Sequence, residues 1–221
     1  MEALRRLRIS RTMKKRKLDN FSSWRDRARK SGIIPAEYLP FKKDGDLAEL
    51  IGVILGDGHI RKYARTEELS IFSNANNVGF VERYSNLVLK VVGKRPVITK
   101  HGKSDCTRIR IYQKHLQRRF QIPFSPRKNI DFEVPKWILR NPVYIVRYLR
   151  GLYEAEGSHS IHESTSTYKV FFSNRNTSLL KIVFDLVTSL GFHPHISSYK
   201  VQISKKKEVF VFLNLIQFRK Y

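Results

Sequence analysis

Leu149-Arg150-Gly151-Leu152-Tyr153-Glu154-Ala155-Glu156-Gly157 decides how this chain folds, and it has a partner earlier on, Leu50-Ile51-Gly52-Val53-Ile54-Leu55-Gly56-Asp57-Gly58. Both runs are apolar and hold small residues four apart: Gly52 and Gly56 in one, Gly151 and Ala155 in the other. Residues i and i+4 share a helical face, and where side chains are missing another backbone can come close. Each run closes on an acid followed by glycine, a common stop signal because glycine adopts φ > 0 without strain. The pattern predicts two helices with smooth contact faces, packed so that Asp57 and Glu156 meet at their C-terminal tips.

The rest of the composition says what such a pair would face. Lys and Arg total 43 against 19 acids, a formal net charge of +24 over 221 residues. An ordinary solvated surface mixes both signs, so this excess points to a polyanionic partner. No apolar run approaches the roughly 20 residues of a membrane span, which leaves nucleic acid ahead of a membrane. The basic N-terminus lacks the apolar core of a secretory signal. Cys106 is the only cysteine, which excludes an intrachain disulfide and a cysteine-based zinc cluster. An intracellular setting, cytoplasm or organelle matrix, is the expectation.

Residues 1–45 carry 14 Lys or Arg against five acids and read as a basic extension. Its first part is a nearly all-basic tail. Leu18 to Lys30 shows Phe21, Trp24 and Ala28 along one helical side, opened by Asp19 or Asn20, and Pro35 and Pro40 follow. Asp44 or Asp46 caps the first motif helix. After it come strands at His59–Tyr63 and Glu68–Ser73, a helix at Asn76–Val92 stopped by Gly93, and a hairpin at Pro96–Lys100 and Thr107–Tyr112. The hairpin turns around Gly102-Lys103-Ser104-Asp105, and a short helix at Lys114–Phe120 closes the half.

The second half repeats this order. Strands at Ser158–His162 and Tyr168–Ser173 precede a helix at Thr177–Leu190, a hairpin at His193–Ser197 and Tyr199–Ser204, and a closing helix at Lys206–Gln217. Phe72-Ser73-Asn74 aligns with Phe172-Ser173-Asn174, and Ile109-Arg110-Ile111 with Val201-Gln202-Ile203. Residues 121–142 hold four prolines, a linker composition, with Trp137-Ile138-Leu139 anchored to the core. The boundaries are therefore 1–45, 46–120, 121–142 and 143–221. The class is α+β, two αββαββα units related by a pseudo-two-fold axis.

The paired motifs resemble those of the LAGLIDADG homing endonucleases in the version with both motifs on one chain, matching at the small positions and at the acid, twice. The resemblance covers residues 46–221. It implies antiparallel, saddle-shaped sheets over DNA, a central two-helix interface, and a monomeric, site-specific double-strand endonuclease with a long asymmetric target. It leaves open an RNA maturase assisting intron splicing, with intron RNA as partner, and a non-catalytic sequence-specific regulator.

Phosphodiester hydrolysis needs a nucleophilic water, a leaving oxygen and charge compensation between them. Carboxylates are the hard-oxygen ligands suited to Mg²⁺ or Mn²⁺. A carboxylate at a helix C-terminus is disfavoured by roughly 0.3–1 kcal/mol, and two acids there repel each other; a bound cation removes both penalties. Asp57 and Glu156 are thus the candidate catalytic and metal-binding residues, with Gly56 and Ala155 beside them at the metal. Glu154, whose counterpart is Leu55, points elsewhere on the helix. The resemblance implies further site residues at strand ends: Asn74 and Asn174 to position water, and Lys114, Lys205 and Lys206 to stabilise phosphate charge.

Base readout belongs to strands, since a two-stranded ribbon fits the major groove. Alternation turns Ile109 and Ile111 inward and Arg108, Arg110 and Tyr112 outward together. In the other half Lys200 and Gln202 alternate against Val201 and Ile203. Arg61, Lys62 and His159, beside the acids in sequence, complete the DNA-binding candidates.

Overall fold

In the structure, a computed structural model describing residues 2–16, 19, 21–34, 37–100, 105–124 and 130–221, packing divides the chain into residues 1–39 and 40–221. The expected hairpin tip Gly102-Lys103-Ser104, and Leu18, Asn20, Pro35 and Pro126, lie outside the described residues. Within the first unit the basic tail is a regular helix, α1 (Glu2–Lys15), with no buried residue. It is followed by α2 (Ser22–Lys30), where Asp19 accepts from the backbone N–H of Phe21 at 3.0 Å. Of the anticipated apolar side only Ala28 is buried; Phe21 and Trp24 are exposed.

Asp44 starts the first motif helix, α3 (Gly45–Asp57), by accepting from the N–H groups of Asp46 and Leu47, both at 3.1 Å. The first half continues through β1 (Gly58–Lys62), β2 (Glu67–Asn74), α4 (Val78–Val92), β3 (Val97–Lys100), β4 (Cys106–Gln113) and α5 (Leu116–Phe120). A short α6 (Lys136–Leu139) buries Ile138 but leaves Leu139 exposed. Asn141 then caps α7 (Pro142–Glu156), with proline in the first turn, where its missing N–H costs nothing. The second half runs β5 (Gly157–His162), β6 (Thr167–Ser173), α8 (Thr177–Ser189), β7 (His195–Ser197), β8 (Lys200–Ile203) and α9 (Lys206–Leu215). Both sheets are antiparallel and share one topology, β1-β2-β4-β3 and β5-β6-β8-β7. The class is α+β, built twice.

The two motif helices explain the small residues. A Cβ on Gly52 would collide with the Tyr148 carbonyl and come to 3.0 Å from the Leu152 nitrogen; one on Gly151 would collide with the Glu49 carbonyl and reach 2.7 Å from the Val53 nitrogen. A Cβ on Gly56 would overlap that of Ala155. Backbone thus lies on backbone at Gly52 and Gly151, and on the single methyl of Ala155 at Gly56. Gly58 and Gly157 have another reason than the one expected. Their φ values are −92° and −87°, extended and not left-handed. Each helix runs directly into a strand, and a Cβ would strike the helix's own last turn, at Ile54 and at Tyr153. Left-handed glycine caps occur instead at Gly93 and Gly191, with φ of 72° and 86°.

A buried charge network spans the same seam. Glu49 is 0 % exposed. It takes Arg83 in a fork at 2.7 and 2.9 Å, and Arg147 at 2.8 Å, with Arg150 at 3.6 Å. Arg147 also donates to Asp46 at 2.6 Å. Thus the first half supplies both acids and one arginine, Arg83 on α4, and the second half supplies Arg147 and Arg150 across the seam.

Candidate functional site

Because glycine and alanine line the closest approach of the seam, α3 and α7 end side by side. A Cβ at Gly56 would come to 3.2 Å from the Glu156 Cγ, so the two tips converge where the sequence placed the acids. Asp57 and Glu156 are both half-buried. Asn174 donates from Nδ2 to the Glu156 Oε1 at 3.3 Å, while its own Oδ1 accepts from the Asn176 N–H at 2.9 Å. On the other side Asp57 opens into a cleft of about 540 Å³ that also takes in Ser73, Asn74, Asp105, Glu154 and Arg219.

Strand register corrects the alignment of the halves. Gly58 lies opposite Ile71, but Gly157 lies opposite Phe172. With the helix tips equivalent, Ile71 answers to Phe172, and Ser73, not Asn74, answers to Asn174. The next strands agree: Ile71 pairs with Ile109 and Phe172 with Val201. Asn74 therefore leaves its strand on the opposite face from Asn174. It lines the Asp57 cleft, but its carboxamide oxygen accepts from the Asn76 N–H at 2.8 Å.

The three lysines are not brought to the acids. Ile109 is the β4 residue in line with Gly58, and Lys114 follows five positions on, roughly 16 Å away along an extended strand. An antiparallel meander carries the chain away from the helix tips before that hairpin ends. Lys206 sits equally far along its own sheet, with Nζ 4.6 Å from the Tyr168 ring, and Lys205 lies 3.2 Å from Glu208. The cation that does reach the cleft is Arg219, absent from the sequence reading. Its N–H donates to Glu154 at 2.6 Å and its guanidinium to the Gly157 carbonyl at 3.4 Å. Glu154, which the sequence reading set apart from the site, lines the same cleft as Asp57 and lies buried under Arg219 and the Tyr221 hydroxyl. Burial pushes its carboxyl above the ordinary value, against the pull of those two donors. A buried acid inside an apolar motif was the available signal.

The outward faces follow the alternation on β4 and β8. Ile109, Ile111, Val201 and Ile203 are buried, and Arg108, Arg110, Tyr112, Lys200 and Gln202 lie on the other side. Arg110 rests over the Tyr112 ring at 5.4 Å. Arg61 shares this face, 5.1 Å from the Tyr63 ring, whereas Lys62 falls on the opposite parity with Ile60. His159 is a second correction. It lies opposite Val170, on the parity of the sheet's buried residues, with its ring edge-on to Phe218 at 5.8 Å, although at the edge strand it stays exposed. The outward residues of β5 are Ser158, Ser160 and His162, across from Phe171, Lys169 and Thr167.

Among the described residues no three His, Cys, Asp or Glu side chains converge as a metal cluster. Two carboxylates still fit a hard divalent ion, which typically keeps several waters and takes one or two protein carboxylates plus substrate phosphate. No helix among the described residues is long and apolar enough to cross a membrane.

Two glycine-seamed helices ending in adjacent acids, each leading into a four-stranded antiparallel sheet of one topology, define a two-motif LAGLIDADG architecture. Residues 144–220 match the model of the LAGLIDADG-like domain family. The homing endonuclease I-DmoI has the same fold at 20% identity, with 78% of this chain and 94% of that chain covered and a TM-score of 0.55. A crystal structure of I-DmoI in complex with DNA and Mn gives the same identity, 20%, and TM-score, 0.55, over 78% of this chain and 96% of that one. The N-terminal LAGLIDADG domain of DUF199/WhiA matches at 16% identity and a TM-score of 0.51, over 80% and 83% of the two chains. No curated protein matches the chain.

Proposed function

We propose that this chain is a metal-dependent, site-specific double-strand DNA endonuclease that acts as a monomer. The observation carrying this reading is the convergence of Asp57 and Glu156 at the tips of two helices in backbone contact. One acid from each half gives one carboxylate for each strand of a duplex.

Asp57 and Glu156 would hold Mg²⁺ or Mn²⁺, with Gly56 and Ala155 shaping the floor between them. The ion, when bound, supplies an activated water and charge compensation at the scissile phosphates. Asn174 orients the Glu156 carboxylate and a water beside it; Ser73 and Asn74 flank Asp57 on the other side. Arg219 supplies positive charge to a cleft whose other charged lining residues are Asp57, Asp105 and Glu154. Arg61, Arg108, Arg110 and Tyr112 on one sheet and Lys200 and Gln202 on the other meet the major groove. Since the two faces differ in chemistry, the target is asymmetric. The exposed basic row of α1 adds contacts to phosphate, which raise affinity for any sequence alike.

The test is incubation of the protein with a randomised duplex library, with and without Mg²⁺, followed by sequencing of cleaved ends. Metal-dependent double-strand breaks at one preferred asymmetric sequence are expected from the parent. Asp57→Asn and Glu156→Gln should each lose double-strand cleavage while binding stays within about tenfold, the span of a single modest contact. Near-normal cleavage by either variant at saturating Mg²⁺ removes that acid from the mechanism. Tight binding without any cleavage by the parent makes the chain a sequence-specific binder instead.

A further inference from the structure

On the sheet face that would meet DNA lies an acid. Glu68, on the outward parity of β2, sits directly between Arg61 and Tyr112 and is only 4 % exposed. A carboxylate there repels phosphate, so its presence calls for a compensating role. Its partners describe one. Oε2 accepts from the Tyr63 hydroxyl at 2.8 Å, and Oε1 from the Ser70 hydroxyl at 2.7 Å. The Arg108 Nη1 lies 3.5 Å from the same Oε1. Burial alone would raise the carboxyl pKa, but the hydrogen bonds from Ser70, Tyr63 and Tyr112, together with Arg108, hold it below the ordinary range. Both oxygens are thus committed within the sheet, which argues against cytosine N4 as their partner.

We propose that Glu68 is a positioning residue that fixes Arg108 and Tyr63 on the outer face of β1–β4 and makes this the discriminating half of the reading surface. The inference rests on the DNA-reading function proposed above. The protein contains its own comparison, because the register identifies the equivalent positions in the other half. Glu68 answers to Lys169, Arg61 to Ser160 and Arg108 to Lys200. Lys169 is exposed, and Lys200 leans on the Phe171 ring at 4.9 Å, with no acid paired to it in the sheet register among the described residues. One face holds its guanidinium in place; the other presents lysines on flexible stems. An arginine fork discriminates bases by geometry, whereas a lysine acts as a mobile point charge. Sequence information is therefore concentrated under β1–β4, and the half-site under β5–β8 is permissive.

The experiment is selection on a randomised duplex library in metal-free buffer, with sequencing of the bound fraction. The parent should show one sharp and one permissive half-site. Glu68→Gln should lower discrimination about tenfold at the sharp positions and leave the permissive half unchanged. In an Arg108→Gln background the same change should add no more than Tyr63→Phe does, since Glu68 acts through Arg108 and, to a smaller extent, through Tyr63. Tyr63→Phe, which removes one hydrogen bond with little threat to folding, should shift the same positions to a smaller extent. An unchanged profile for Glu68→Gln, or effects of Glu68 and Arg108 that simply add, would overturn the proposal. So would equal loss in both half-sites, the mark of a merely structural acid. A parent with no preference anywhere overturns the DNA-reading function itself, and this inference with it.

Discussion

Gly151 shows how much a single atom decides here. A methyl group at this position would press into the Glu49 carbonyl and the Val53 nitrogen, and both are backbone, which cannot rotate aside. Gly151→Ala should therefore cost at least the 1–3 kcal/mol typical of overpacking, read as a lowered midpoint in urea unfolding; a neutral result would mean the helices can part without penalty. Glu49 is the opposite case, a residue whose removal leaves too little behind. Glu49→Gln leaves Arg83 facing an uncharged amide and takes from Arg147 and Arg150 one of their acceptors, Asp46 and the Lys220 carbonyl remaining to them; breaking one side of a buried ion cluster costs about 3–5 kcal/mol. The small residues and the two acids of the motifs were legible because their spacing is helical and occurs twice. Glu49 was not, since one acid in an apolar run carries no sign of three arginines from distant stretches. Glu68 adds a pH test. Its carboxyl is depressed in the folded state, so its contribution is complete above the ordinary value of 4.5 and is lost as pH falls through the depressed one. The parent should lose stability in that window more steeply than Glu68→Gln.

Among the elements, alternation placed β4 and β8 correctly because β-branched residues and cations trade places at every step. Matching by local identity put β2 and β6 one residue out of phase. Phe-Ser-Asn occurs in both strands, and local identity outweighed the pairing partner, which only the fold supplies; a one-residue slip turns every side chain to the other face. That slip is why Asn74 appeared as the twin of Asn174, while His159, taken as a DNA contact for its closeness to Glu156, shares the parity of Val170 and not of Ser158 and Ser160, though it is exposed at the sheet edge. The lysines failed for a related reason: closeness in the repeat pattern says nothing about which end of a strand meets the helix tips. Helix α1 makes its own prediction. Its Arg and Lys side chains are exposed, so deletion of residues 1–30 should weaken binding to all duplexes alike and flatten the dependence of log K on log salt. A change in base preference on deletion would make the segment a reader.

Across the molecule, the exchange of charge between halves sets which halves belong together. The first half brings Asp46 and Glu49 to the seam, and the second brings Arg147 and Arg150. Two copies of the second half could match their glycine seams, since Gly151 and Ala155 leave room on either helix. They would, however, set arginines against arginines in a site where the parent buries a carboxylate. Like-charge juxtaposition of this kind is how interfaces reject a wrong partner, and here it acts inside one chain. Residues 40–124 and 130–221, produced as separate polypeptides, should therefore remain poorly folded or aggregate alone and assemble one-to-one when mixed. Size-exclusion chromatography and circular dichroism of each piece and of the mixture would show it. Reversing the pair at the seam, with Glu49→Arg in one piece and Arg147→Glu in the other, should restore part of an assembly that either change alone abolishes. A well-folded, stable homodimer of residues 130–221 would show that the glycine seam alone selects the partner and that the buried charges are incidental to it.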